Sequence, residues 1–318
     1  MALTPSVLVT GGAGFIGSNL AGELIRRGAK VRIADNFLTG FQENLDEIEG
    51  DFEFIEADVA DPEAAKRIVD GMEIVFHEAA LPSVPRSVAD PLETHNACVN
   101  GTFNLLLAAK DAGVRRVVYA ASSSAYGDQP TLPKVETMRP EPLSPYAAAK
   151  LVGEHYCRVF TQVYGLETYS LRYFNVFGPR QNPSSQYSGV ISRFIDAFMK
   201  AGQPTIYGDG EQSRDFTYIA NVVDANIKAM QATEGSGEVM NVANGERISL
   251  LDLVEVMKKV TGRDDVEIDF QPERKGDVKH SQADNSRAVA WLGYEQVVGL
   301  EEGIRETIDW WKNSRFAK

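Results

Sequence analysis

Residues 7–35 constrain this chain most. Val7-Leu8-Val9-Thr10 reads as a short apolar strand, and Gly11-Gly12-Ala13-Gly14-Phe15-Ile16-Gly17 turns at once into a helix that runs to about Gly28. Val31-Arg32-Ile33-Ala34-Asp35 then reads as a second strand that ends in an acid. Two strands joined by a crossover helix form a right-handed parallel unit. The glycines permit a tight turn and let a pyrophosphate approach the helix N-terminus, where free N–H groups and the dipole favour an anion. Asp35 lies near the ~20 residues downstream at which an acid accepts from a ribose 2′-OH and repels a 2′-phosphate. The spacing is Gly-x-x-Gly-x-x-Gly rather than the commoner Gly-x-Gly-x-x-Gly, and a glycine turn can exist with no ligand. Set between a strand and a helix, with an acid closing the next strand, it predicts NAD rather than NADP.

Further units repeat the pattern. Phe52–Asp58, Ile74–Ala80 and Val117–Ala121 read as strands, with helical patterns around 62–70, 92–112 and 145–164. Asp58 and Val59 end their strand near where an adenine would lie. The alternation predicts an α/β chain with a doubly wound parallel (Rossmann-type) sheet and ligands at the carboxyl ends of its strands. The second half departs from clean alternation: 179–188 is loop-like, while Val190–Lys200, 249–261 and 300–312 read as helices. Trp310 and Trp311 in the last of these read as packing residues. No repeat or flexible linker interrupts the chain.

Composition narrows the partners. A net charge of −13 argues against a nucleic acid or membrane surface. Cys98 and Cys157 fall in apolar helical patterns and suit a reducing compartment. No apolar run approaches the ~20 residues of a membrane span, and the chain enters a strand without a signal-peptide layout. The expectation is a cytoplasmic protein. His77 and His95 stand alone, and no His/Cys/Asp cluster has metal spacing, so no metal is expected.

A second motif carries chemistry. Ser144-Pro145-Tyr146-Ala147-Ala148-Ala149-Lys150 begins with a side-chain cap and a proline in the first helical turn, followed by a strongly helix-favouring run. Tyr146 and Lys150 therefore share one face. A phenol is nearly all protonated at neutral pH, and a neighbouring cation is expected to lower its pKa and make it a usable acid/base. Ser122, at the end of an apolar strand, is placed to donate or accept beside it. An isolated Tyr-x-x-x-Lys is more often a half-buried tyrosine with a solvated lysine.

Together the motifs resemble the extended short-chain dehydrogenase/reductase family, and within it the UDP-hexose 4-epimerases. The resemblance spans essentially the whole chain. It rests on residues 11–17, Ser-Ser-Ser-Ala-Tyr-Gly at 122–127, residues 144–150, Arg-Tyr-Phe-Asn-Val-Phe-Gly-Pro at 172–179, Tyr-Gly-Asp-Gly at 207–210, Arg214-Asp215-Phe216 and Arg274-Lys275-Gly276-Asp277. It implies Tyr146 as catalytic base and acid, Lys150 holding the nicotinamide ribose and tuning Tyr146, and Ser122 on the reacting hydroxyl. It extends the cofactor set to Asn36, Ala79, Ala80, Tyr173 and Val176. On the substrate side it implies Ser83, Arg86, Ser122, Ser123, Ser124, Tyr146, Asn175, Val190, Tyr207, Arg214, Arg274, Asp277 and Ser281. The arginines suit a pyrophosphate in an acidic protein. The implied division is an NAD-binding domain of 1–175 plus about 218–245, and a UDP-sugar-binding domain of about 176–217 plus 246–318. Helices near 92–112 and 145–164 resemble those that pair two subunits in a four-helix bundle, which implies a homodimer.

The implied reaction is 4-epimerisation through a 4-keto sugar, with tightly bound NAD regenerated each cycle. Dehydratases and decarboxylases of the family carry an acid just after the catalytic serine or threonine, whereas Ser123 and Ser124 occupy those positions here. Some members restricted to UDP-glucose and UDP-galactose carry a bulky tyrosine four residues past the Gly-Asp. Here that position is Ser281, which leaves room for an N-acetyl group or, alternatively, faces solvent. The 81–87 loop resembles that of UDP-N-acetylglucosamine 4-epimerases. The reading is therefore UDP-GlcNAc/UDP-GalNAc, with UDP-Glc/UDP-Gal alongside. Two positions depart from the family: Cys98 replaces an asparagine before Val-Asn-Gly-Thr, and a lysine of the 81–86 loop is absent. Two alternatives stay open. A UDP-glucuronate 4-epimerase would need Arg86 or Arg180 aimed at a C6 carboxylate, and an NAD-binding sensor would not need the Tyr/Lys pair.

Overall fold

The computed structural model describes residues 5–183, 189–273 and 279–317. Six strands, β1 (Ser6–Thr10), β2 (Lys30–Asp35), β3 (Glu53–Glu56), β4 (Ile74–His77), β5 (Arg116–Ser122) and β6 (Glu167–Tyr173), join a late strand, Glu238–Val242, in one parallel sheet. The order is Glu238–Val242, β6, β5, β4, β1, β2, β3. The late strand returns to the edge beside β6.

Alternation along the strands sorts the core. Val7, Val9, Ile33, Phe76 and Val118 face a layer that includes Leu20 and Leu24 of helix α1 (Phe15–Arg26) and Val222 of helix Ile219–Gln231. Leu8, Val75, Val117 and Tyr119 face the other way. Three helices cover that side: α3 (Pro62–Val69), which follows the short α2 (Gln42–Asp46), then α6 (Gly101–Asp111) and α7 (Pro145–Tyr164). Strands buried on both faces read as continuous apolar runs, which is why the alternation was visible in the sequence. Short segments α4 (Val84–Ala89) and α5 (Pro91–His95) precede α6.

The expected helix over 92–112 is continuous from Pro91 to Asp111. Between α5 and α6, Asn96–Asn100 form a π-helical turn. Its extra residue shifts the register of side chains, which a reading of helical periodicity does not detect. The start of α7 matches expectation: the Ser144 hydroxyl accepts from Ala147 N at 3.1 Å, with Pro145 in the first turn. Gly165 ends that helix in the left-handed region.

The second half adds three two-stranded pieces. Val176–Phe177 pairs with Thr217–Tyr218, Ser213–Arg214 with Ile248–Ser249, and Thr205–Tyr207 with Asp269–Gln271. Helices Val190–Met199, Leu250–Thr261 and Leu300–Asn313 pack around them, and Trp311 is buried in that core. Among the described residues no helix is long and apolar enough to cross a membrane.

Candidate active site

The glycine turn forms one end of a cavity of about 660 Å³ at the carboxyl edge of the sheet. Gly11, Gly14, Phe15, Ile16, Gly17 and Asp35 line it. Gly11 has φ +66°, and a Cβ there would lie 2.7 Å from Ala79. A Cβ on Gly17 would lie 2.2 Å from the Gly11 carbonyl oxygen. No side chain caps α1 at Gly14, and its first turn carries no acid. The free N–H groups and the positive end of the helix therefore open onto the cavity, as a pyrophosphate requires. Asp35 accepts from Ala13 N at 3.0 Å and Phe37 N at 2.8 Å. Burial pushes its carboxyl above the usual range, and those N–H groups oppose the shift. An adjoining cavity of about 50 Å³, which shares Gly11 and Asp35 with the first, gathers Asn36, Asp58, Val59, Ala79 and Ala80. These residues fit a dinucleotide.

Ser122, Ser123, Tyr146, Lys150, Tyr173, Asn175 and Val176 line the opposite end. The Ser122 hydroxyl caps the turn that follows β5, accepting from Ser124 N at 3.2 Å, and its oxygen lies 2.8 Å from Ser124 Oγ. Ser124 thus stands behind Ser122 and not on the cavity wall. Lys150 and Tyr146 share the cavity, but the expected lowering of the phenol is absent. Lys150 Nζ donates to the Ala120 carbonyl at 2.7 Å and lies 5.0 Å from the centre of the Tyr119 ring. Burial drives Tyr146 well above its ordinary value, helped by the nearby Cys98 and Glu78 and opposed by the Ser122 hydroxyl. Burial lowers Lys150. Sequence spacing gave the shared face of the two side chains but not the carbonyl that takes the amine.

Ser83 and Arg86 lie on the same cavity. Arg86 is committed to a bidentate contact with Glu93 at 2.8 and 2.7 Å. Arg180 points away, to Glu47 and the Ser18 carbonyl. Asn175, at φ +34°, donates to the Asp215 carbonyl at 2.8 Å and to Ser281 Oγ at 3.3 Å. Ser281 therefore stands behind Asn175 and is absent from the lining. Val190, Tyr207 and Arg214 line a neighbouring cavity of about 350 Å³ with Arg193, Phe194 and Gln212. Gly189 borders the first cavity and Val190 the second. Arg274 and Asp277 lie outside the described residues.

The sequence reading passed over Glu78. Glu78, one residue beyond β4, lines the reaction end, and burial pushes its carboxyl up to about 7. An acid closing an apolar strand at the ligand-bearing edge was the available signal. His77 was read as structural, and its partners show how. Thr102 Oγ1 donates to the Cys98 carbonyl at 2.7 Å, so its oxygen accepts from His77 Nε2 at 2.9 Å. That leaves Nδ1 to accept from Thr10 Oγ1 at 2.8 Å. The ring is held neutral, and burial brings it down to about 3. Cys98, the departure noted above, accepts from Leu81 N at 3.5 Å.

Comparison with known proteins follows this geometry. Residues 7–243 match the model of the NAD dependent epimerase/dehydratase family. The chain is 39% identical to the UDP-glucose 4-epimerase of Mycolicibacterium smegmatis, over 96% of this chain and 98% of that one. It is similar to the solved UDP-N-acetylglucosamine 4-epimerase of Methanobrevibacter ruminantium M1, in complex with UDP-N-acetylmuramic acid: 39% identity, TM-score 0.93, covering 98% and 99% of the two chains. The UDP-glucuronic acid 4-epimerase of Bacillus cereus, solved with UDP-glucuronic acid and NAD, is 32% identical with TM-score 0.89, covering 97% and 99%. A family match over most of the chain and full-length relatives at this identity agree with the glycine turn and the Ser122–Tyr146–Lys150 cluster, and the chain belongs to the NAD dependent epimerase/dehydratase family.

Proposed function

We propose that this protein is an NAD-dependent UDP-hexose 4-epimerase, acting on UDP-GlcNAc and UDP-GalNAc with the non-acetylated pair alongside. One observation carries the reading: a single cavity joins the glycine turn and Asp35 to Ser122, Tyr146 and Lys150. Bound NAD would supply reversible hydride acceptance at its nicotinamide. Gly11–Gly17 and Asp35 would hold its pyrophosphate and ribose, and Lys150 its second ribose. Tyr146 takes the proton of the sugar 4-hydroxyl as C4 becomes a ketone and returns it after the sugar turns over. Ser122 holds the reacting oxygen, and Ser124 orients Ser122. Val190, Tyr207 and Arg214 suit the nucleotide, with Arg214 as a fixed cation for the diphosphate. Residues 176–217 and 246–318 form the substrate-binding part in this reading. The 39% identity to a solved UDP-N-acetylglucosamine 4-epimerase over nearly the whole chain supports the acetylated substrate.

A uronate substrate is the weaker reading on the described residues. Arg86 already gives two nitrogens to Glu93, and Arg180 faces Glu47. A dimer is supported by Phe103 and Leu107 on α6 and Val159 and Val163 on α7, which are exposed apolar side chains at helical spacing.

The test incubates purified protein, with no NAD added, separately with UDP-N-acetylglucosamine, UDP-glucose and UDP-glucuronate, and resolves the products. Conversion of the acetylated sugar to its C4 epimer is expected. Conversion of UDP-glucose alone overturns the substrate reading, and no conversion even with NAD supplied overturns the epimerase.

A further inference from the structure

We propose that Glu78 sets the charge at the reaction end of the cavity and so biases the protein toward the oxidised cofactor. The inference rests on the NAD reading above. Glu78 follows His77, whose ring is fixed between Thr10 and Thr102, and lines the cavity with Ser122, Tyr146 and Lys150.

A relay fixes the side chain. Asn226 Nδ2 donates to Tyr173 Oη at 2.8 Å, and Tyr173 Oη donates to Glu78 Oε1 at 2.9 Å. A donor aimed at a carboxylate favours its ionised form. The titratable groups facing Glu78 among the described residues are Tyr173 on β6 and Tyr146 and Lys150 on α7. Lys150 Nζ donates to the Ala120 carbonyl, and its charge favours the ionised form of Glu78 through space. The charge of Glu78 is therefore not cancelled by contact and acts across a poorly polarisable space.

An oxidised nicotinamide carries a positive charge and a reduced one does not. An anion in this cavity favours the oxidised form. That matters for a reaction that borrows and returns a hydride, because a cofactor left reduced cannot begin another cycle. Burial lifts the Glu78 carboxyl to about 7, so this preference grows as pH rises through neutrality.

The experiment exchanges holoprotein against NAD–NADH mixtures of fixed ratio at several pH values between about 6 and 8, on either side of the Glu78 pKa. The bound reduced fraction is read from the near-ultraviolet absorbance and fluorescence of reduced nicotinamide. Wild type is expected to prefer the oxidised form about tenfold more at the alkaline end than at the acid end, the size of a one-unit coupling. Glu78→Gln, which keeps an acceptor for Tyr173, is expected to lose that pH dependence and about tenfold of the alkaline preference. Tyr173→Phe removes the donor to the carboxylate and is expected to move the midpoint to higher pH. Equal preference in Glu78→Gln and wild type across the range overturns the proposal. If Glu78→Gln does not fold, an unmoved midpoint in Tyr173→Phe overturns it instead. Failure of wild type to bind either form is a separate result, and sinks the NAD reading.

Discussion

Lys150 Nζ donates to the Ala120 carbonyl at 2.7 Å, so its amine is held by the backbone of β5 and not by the Tyr146 phenol. Burial keeps the phenol protonated at rest. Lys150→Met is then expected to raise the proton affinity of Tyr146 further and cut turnover by roughly a hundredfold at neutral pH. Part of the loss should return at alkaline pH, where the phenol ionises without help. Tyr146→Phe should lose turnover at every pH while keeping its cofactor. A pH–rate profile separates the two, and a Lys150→Met enzyme with an unshifted profile contradicts that expectation.

Ser124 touches Ser122 and lies off the cavity wall. Ser124→Ala removes one neutral hydrogen bond, which has a net worth of about 1 kcal/mol. The expected result is a kcat lowered about fivefold with KM unchanged. Ser122→Ala should cost far more. A Ser124→Ala enzyme that changes KM alone would mean that Ser124 contacts the substrate directly.

His77 predicts an acid limb of stability. Its folded pKa of about 3 lies below the ordinary histidine value, so the unfolded chain binds the proton more tightly. Stability is complete above about pH 6.5 and falls as pH drops toward 3, by up to ~5 kcal/mol from this group alone. His77→Gln should flatten that limb in denaturant titrations at pH values spanning this range. An unchanged slope would assign acid unfolding to other groups.

Glu154 and Arg172 form a bidentate pair at 2.8 and 2.7 Å with both side chains 3% exposed. The Arg172 guanidinium also stacks 4.5 Å from the centre of the Tyr126 ring. Glu154→Gln leaves a buried cation without its counter-charge and should destabilise by about 3–5 kcal/mol. Denaturant unfolding measures it, and a loss below about 1 kcal/mol would place water at the pair.

Leu107→Glu combined with Val163→Glu should convert a dimer to a folded monomer, because each places a charge in an apolar face that pairing would bury. Sedimentation at micromolar concentration checks it. A wild type that sediments only as monomer removes the basis for this interface.

The sheet and the glycine turn were legible because strands buried on both faces and a glycine-bearing helix start leave local marks. Ser122, Tyr146 and Lys150 were legible as types at a spacing, but their partners were not. Ala120 offers only a backbone carbonyl, and no side-chain pattern announces that. Glu78 was missed because its meaning depends on Tyr173 and Asn226, which are 95 and, through Tyr173, a further 53 residues distant in sequence. Arg86 and Arg180 were open from sequence alone. Glu93 and Glu47 decide their directions, and neither glutamate carries a motif.

Ser122 and Tyr173 are register partners on adjacent strands, and Glu78 follows the end of the strand on the other side of Ser122. Neighbouring strands are spaced at about 4.8 Å by their hydrogen bonds. The hydroxyl, the phenol and the carboxylate are thus mounted like teeth on a comb whose pitch no loop can alter. The two-stranded pieces built after residue 175 lie outside that sheet and have no such ruler. Those pieces could be exchanged while Ser122, Tyr173 and Glu78 keep their separations, because the spacing of these three is set by the sheet alone.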